Sequence, residues 1–264
     1  MESTTAAHYG EAIFAPRNNE AERIRALAAA TDPGAQACLS RIPVPRGGRF
    51  LEVGPGLGTM VPWFLTTYHP SEMVLLDRDV TLLEPLASPN VTVLTADIND
   101  PDITIGEFDL IFVKSVLMHL PDREAITARL ASWLRPGGWL VVIDGCDLSA
   151  AGPESPLRSA MTAQWLVLGR TIGATSEWAM SFPEPLRRAG LTDLGVAAEM
   201  AVAEAGAPYT RFLQLTFESL RPKMLETRAV TADELDFAIE QLAGPRPPAL
   251  GTLGVVTTWG RKAL

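Results

Sequence analysis

Between residues 49 and 144 the chain alternates short strand-forming runs with segments whose apolar residues recur at helical spacing. The runs are Phe50–Val53, Met73–Leu76, Val91–Ala96, Phe108–Val113 and Trp139–Asp144. Met60–Thr67, Val80–Ala87 and Asp122–Leu134 lie between them and read as helices, with Pro62 tolerated in a first turn. Five strands alternating with helices predict an α/β fold with a mainly parallel, doubly wound sheet. Right-handed crossovers then bring Gly54, Asp77, Asp97 and Lys114, which follow or end four of the strands, to one edge.

The flanking segments are less regular. Residues 1–18 are polar with a small aromatic group, His8, Tyr9 and Phe14, and read as an arm. Asn19–Ala30 places Ile24, Leu27 and Ala28 on one face of an amphipathic helix, and a second short helix, Gln36–Ile42, should stop before Pro43. Beyond Asp144, helices are expected at Leu157–Gly173, Phe182–Ala189, Tyr209–Met224 and Ala232–Leu242, with strands at Leu194–Val202 and Gly251–Gly260. The expected division is an N-terminal helical arm or lid over residues 1–44 and a ligand-binding domain over 45–264.

The stretch RFLEVGPGLGTM, Arg49 to Met60, carries the most chemistry. A strand containing Glu52 runs into Gly54, Gly56 and Gly58, spaced two apart, and then into a helix. Glycine takes positive φ without steric cost and admits another molecule close to the main chain, while the amides opening the helix favour an anionic group. The dinucleotide fingerprint needs G-x-G-x-x-G, and here the third glycine falls one residue early, with Thr59 in its place. Asp77 ends the second strand about 20 positions further on, where a carboxylate can accept hydrogen bonds from ribose hydroxyls. It could equally cap the next helix, although Asp79, directly before Val80, competes for that role. Lys114 and Ser115 end the fourth strand, at the edge where open α/β sheets bind ligands.

The E-x-G-x-G-x-G pattern resembles motif I of the class I S-adenosylmethionine-dependent methyltransferases. The string FDLIFVKSVLMHLPDREAITARLASWLRPGGWLVVID, residues 108–144, resembles the region that follows that motif in the same family. The resemblance implies a seven-stranded, Rossmann-like sheet whose last two strands form an antiparallel hairpin at its edge. It implies S-adenosyl-L-methionine as cofactor, with Glu52, Gly54, Gly56, Gly58, Asp77, Arg78, Lys114 and Ser115 around it. Asp97 would take the adenine amine and Ile98 would line the ring; a loop aspartate is the alternative for Asp97. Tyr9 would be the aromatic contact of an arm closing over the cofactor, or a residue packing that arm on the core. Segments at about 150–180 and 204–230 would build the substrate pocket, with Trp165, Trp178, Phe182, Tyr209, Phe212 and Phe217 as candidate walls or as ordinary core.

Charge and cysteine content narrow the partners. Twenty-two basic against 31 acidic residues give a net charge of −9, and no basic run interrupts it, which disfavours nucleic acid and anionic membranes. Cys38 and Cys146 stand far apart with no neighbouring ligand set, so neither a disulfide framework nor a metal site is expected. No apolar run reaches 18 residues and the N-terminus lacks a targeting pattern, so a cytoplasmic protein is expected.

The expected activity is methyl transfer to an O-, N- or C-nucleophile of a small molecule, with a natural-product role implied by the resemblance alone. Transfer from a sulfonium depends mainly on alignment, and a base is needed only for a protonated acceptor. His119 is the candidate base or a positional, cofactor-lining residue; His8 and Glu177 are further candidates for the base. Two other classes stay open: the same fold and cofactor used in a cyclase or pericyclic catalyst, and a non-catalytic partner subunit. Monomer and homodimer are both open.

Overall fold

The computed structural model describes residues 19–245 and 250–264. Seven strands form one sheet: β1 Arg49–Val53, β2 Glu72–Asp77, β3 Val91–Thr95, β4 Phe108–Lys114, β5 Leu134–Asp147, β6 Thr192–Ala203 and β7 Leu250–Arg261. Their order is β3-β2-β1-β4-β5-β7-β6. Strands β1 to β5 pair in parallel, and β7 lies antiparallel between β5 and β6. The helices are α1 Glu20–Leu39, α2 Val61–Tyr68, α3 Arg123–Ser132, α4 Pro156–Ile172, α5 Glu184–Arg188, α6 Pro208–Glu226 and α7 Ala232–Ala243.

Burial on both faces explains the near-continuous apolar strands. Leu51, Val53, Ile111, Val113, Leu140 and Val142 point into one core beside α3, whereas Phe50, Leu110, Phe112, Trp139 and Val141 point into the other beside α2. A third cluster joins α4, α6 and α7 without the sheet's centre, through Met161, Leu213, Phe217, Leu220 and Leu235. That helical body meets the sheet at β6 through α6, and α1 packs against α6, β6 and β7.

Several elements differ from expectation. The two helices expected over 19–30 and 36–42 are one helix, α1, which runs through Pro33. A proline inside a helix leaves one carbonyl without its donor, and here tertiary contacts along α1 outweigh that loss. The expected helix 80–87 is reduced to a single 3-10 turn, Glu84–Leu86. Pro85 removes a donor within it, and Asp79 accepts from Thr81 in a local turn instead of starting a helix. Strand β5 begins at Leu134, five residues before the expected start at Trp139, with a register shift opposite Phe108 and Leu110.

Phe112 is 1% exposed and meets the Phe64 ring edge to face at 5.3 Å. Phe112→Ala should therefore lower stability by about 3–5 kcal/mol, the usual range for a buried aromatic reduced to alanine. Urea denaturation at constant m-value is the measurement.

Candidate active site

The glycine turn connects β1 to α2 and is shaped for close approach. Gly54, Gly56 and Gly58 have φ of +65°, +62° and +65°. A Cβ on Gly54 would lie 2.4 Å from Val116 Cγ2, and one on Gly58 would lie 2.3 Å from Leu86 Cδ1. On Gly56 it would stand 3.3 Å from Ile24 Cγ2, so α1 passes directly over the turn. The Gly54 amide donates to Leu76 O at 2.9 Å, which fixes the turn against the end of β2.

Beneath the turn lies a buried charge cluster. Glu52 is 2% exposed, and its Oε2 accepts no hydrogen bond among the described residues. Loss of solvent pushes its carboxyl up to about 8; Lys114 draws it back and Asp32 opposes Lys114. Lys114, ending β4, forms an ion pair with Asp32 of α1, and both side chains are largely buried. The lysine expected at the cofactor is thus the anchor that holds α1 on the sheet's rim. Asp32 was not foreseen, because its partner is 82 positions away.

Along the rim, Asp77 accepts from the Asp79 amide at 3.2 Å, and burial raises its carboxyl above the ordinary range. Its carbonyl receives the Ala96 amide at 2.9 Å, so the ends of β2 and β3 are adjacent. Arg78 pairs with Asp97 at 3.3 Å, and Asp97 also accepts from the Asn99 amide and side chain. The Ile98 side chain turns into the core, only 5% exposed. Ser115 has φ of +57°, and its amide donates to Ile143 O at 2.7 Å, which bends the chain sharply away from β4. Tyr9 and His8 lie outside the described residues.

Next to this bend is a cavity enclosing about 700 Å³ of empty space, its open mouth included. Strand ends contribute Ser115, Ile143, Asp144 and Gly145, and Met118 and His119 follow from the turn after β4. Helix α1 adds Arg23, Leu27 and Thr31, α4 adds Met161, Gln164, Trp165 and Leu168, and α6 adds Tyr209, Phe212, Leu213 and Thr216. Trp165, Tyr209 and Phe212 are therefore wall residues. Trp178 and Phe182 pack edge to face with ring centroids 5.6 Å apart, outside the cavity lining, and Phe217 is fully buried in the helical body. Glu177 is not among the lining residues.

His119 ends a 3-10 turn, Leu117–His119, and faces this cavity. Burial lowers it to about 3, with the Arg23 and Arg123 guanidiniums pushing the same way, so the imidazole is neutral at physiological pH. Asp144 ends the apolar run of β5 and is 1% exposed. Burial raises its carboxyl to about 8, although the Met118 amide, donating to Oδ2 at 3.2 Å, lowers it in part. Sequence reading used Asp144 only to mark a strand end. A carboxyl closing an otherwise apolar strand was the available signal.

Sheet order and glycine turn give a Rossmann-like α/β fold of the kind found in methyltransferases. Residues 51–142 match the family described as "Methyltransferase domain". Methyltransferase str2 of Strobilurus tenacellus is 30% identical over 97 residues, covering 36% of this chain and 35% of that protein. Phosphoethanolamine N-methyltransferase 1 of Arabidopsis thaliana is 31% identical over 117 residues, 41% of this chain and 23% of its own length. The matched stretch thus spans about a third or less of these two relatives. Among solved structures, phosphoethanolamine N-methyltransferase 2 of Haemonchus contortus, held with phosphomonomethylethanolamine and S-adenosylhomocysteine, superposes with a TM-score of 0.61 at 16% identity. That match covers 95% of this chain and 59% of the other, and at this identity it speaks for the fold.

Glu52 and Asp144 bind their protons more tightly folded than unfolded, so their contribution to stability is full at low pH and is lost as pH rises through about 8. His119 acts oppositely between about 3 and 6.5, where the unfolded chain binds the extra proton. Between pH 6.5 and 8 the acids therefore act alone among these three, and the urea midpoint should fall as pH rises. Asp144→Asn should flatten part of that slope.

Proposed function

We propose that this chain transfers the methyl group of S-adenosylmethionine to a small-molecule acceptor held in the cavity beside Ser115. The observation that carries this reading is continuity. Lys114 sits at the glycine-turn charge cluster, and the next residue, Ser115, lines the cavity, so a donor on the rim and an acceptor in the cavity would share one wall. The residues fit the cofactor: Gly54 and Gly58 have no room for a Cβ, and Glu52 keeps a buried oxygen without a partner among the described residues.

Asp77 and Arg78 are assigned to the ribose side, and Asp97 with Ile98 to the adenine side, with Ile98 acting as the apolar backing of that subsite. Gly54, Gly56 and Gly58 admit the ligand's approach, and Ser115 offers a hydroxyl where rim and cavity join. Tyr9 and the rest of residues 1–44 are assigned as the lid. When bound, the cofactor supplies a methyl group on a positively charged sulfur. The protein's own task is then to align an acceptor and exclude water. A neutral His119 suits hydrogen bonding to the acceptor better than proton abstraction, since a base works best with a pKa near the operating pH. The apolar walls favour an amphipathic or apolar metabolite, in keeping with a cytoplasmic, natural-product role.

Asp77→Asn should raise the S-adenosylmethionine dissociation constant at least tenfold in calorimetry, because hydrogen bonds to a charged group contribute about 1.5–3 kcal/mol. Accumulation of S-adenosylhomocysteine with an acceptor is the test of methyl transfer; turnover without it assigns the fold to a non-methylating cyclase, and absence of cofactor binding assigns it to a partner subunit. His119→Gln should keep kcat within about tenfold of the parent, whereas removal of a general base costs about 10²–10⁴.

A further inference from the structure

The cavity is apolar in most of its wall, yet three buried polar atoms on it lack partners among the described residues: Asp144 Oδ1, Gln164 Oε1 and Trp165 Nε1. Asp144 is 1% and Gln164 5% exposed, so neither is served by bulk water. The Trp178 indole is beside Asp144 but outside hydrogen-bond geometry. Buried polar groups left unsatisfied are costly, and two from different elements on one cavity point to a ligand that completes them.

The charges around the cavity limit what that ligand is. Arg23 is the cation of the lining, and its Nε and Nη2 hold both Glu20 oxygens at 2.9 and 2.7 Å while its guanidinium stacks over Phe212. Lys114 is taken by Asp32. Arg123 donates to the carbonyls of Leu120 and Gly173. A phosphate or carboxylate entering here would meet Asp144 and compensated cations, and would lose its hydration without a matching charge.

We propose that Asp144 and Gln164 form a two-point polar clamp for an uncharged acceptor, an apolar ring system carrying a hydroxyl group. A hydroxyl on such a molecule satisfies both side chains: its proton is donated to Gln164 Oε1 while its oxygen accepts from the protonated Asp144 carboxyl. The Trp165 indole N–H supplies a donor for a second oxygen. This rests on the small-molecule reading of the cavity and adds the charge class of the acceptor to it. Asp144 and Gln164 stand on β5 and α4, so the clamp also ties recognition to the docking of the helical body on the sheet.

The test uses three matched probes on the full chain with S-adenosylhomocysteine present: 1-naphthalenemethanol, 1-methylnaphthalene and 1-naphthylmethyl phosphate. Calorimetry or Trp fluorescence should rank the alcohol at least tenfold tighter than the other two. Gln164→Leu and Asp144→Leu should each erase the preference of alcohol over methylnaphthalene with S-adenosylhomocysteine affinity unchanged; if Asp144→Leu fails to fold, Gln164→Leu and Asp144→Asn decide. Equal or tighter binding of the phosphate, or an alcohol preference that survives Gln164→Leu, overturns the clamp. Alcohol selectivity without S-adenosylhomocysteine production from any acceptor would overturn the methyl-transfer reading and leave the clamp standing.

Discussion

A buried lysine needs a counter-charge, and the rim of this sheet is arranged around that need. Lys114 emerges at the end of β4 beside Glu52, which sits in β1 with no water to stabilise its charge. With Glu52 holding its proton, the remaining positive charge is met by Asp32, and Asp32 stands on α1. Removing either partner of such a pair leaves an uncompensated charge in a low-dielectric site, which is far more costly than the pair itself. The helix is thereby held where Ile24 faces Gly56 and where Arg23, Leu27 and Thr31 close one side of the cavity.

Site and fold are consequently less separable than a scaffold with grafted loops would suggest. Four layers of constraint meet at Ser115. Strand β4 delivers it, the hydrogen bond its amide donates to Ile143 O turns it, Val116 packs over Gly54, and residues after it line the cavity. A sharp bend at that point lets the same few residues face the glycine turn on one side and the helical body on the other. The cavity is a product of docking between two cores, one under the sheet and one among α4, α6 and α7.

Much of this was legible from the amino-acid order, and the reason is physical. Parallel strands covered on both faces must be apolar throughout, so β1, β2 and β4 appear as compact runs, and the glycine trio has few explanations other than a tight strand-to-helix turn. The helices of the last hundred residues were legible from their periodicity, and the two late strands from their apolar alternation. What escaped detection depends on distant partners. Residues 31–35 were expected to separate two helices, but α1 is continuous there and is held by contacts with α6, β6 and β7 that no local rule contains. Residues 80–87 have helical periodicity, yet Pro85 and the Asp79 turn prevail. Asp144, Gln164 and Asp32 are ordinary residues in sequence; their meaning arises from burial and from distant neighbours, 26 positions away for Asp144 and Met118 and 82 for Asp32 and Lys114.

The insertion of β7 between β5 and β6 has a consequence for biosynthesis. On a nascent chain, β1 to β5 emerge in an order that lets each strand find a parallel neighbour within the half already made. Strand β6 cannot join them, because among the described residues its bonded neighbour is β7, about fifty residues further along. Until the ribosome has extruded that segment, β6 and the outer edge of β5 are bare hydrogen-bonding edges, open to pairing with other chains. Closure of the sheet is therefore a late event on the nascent chain.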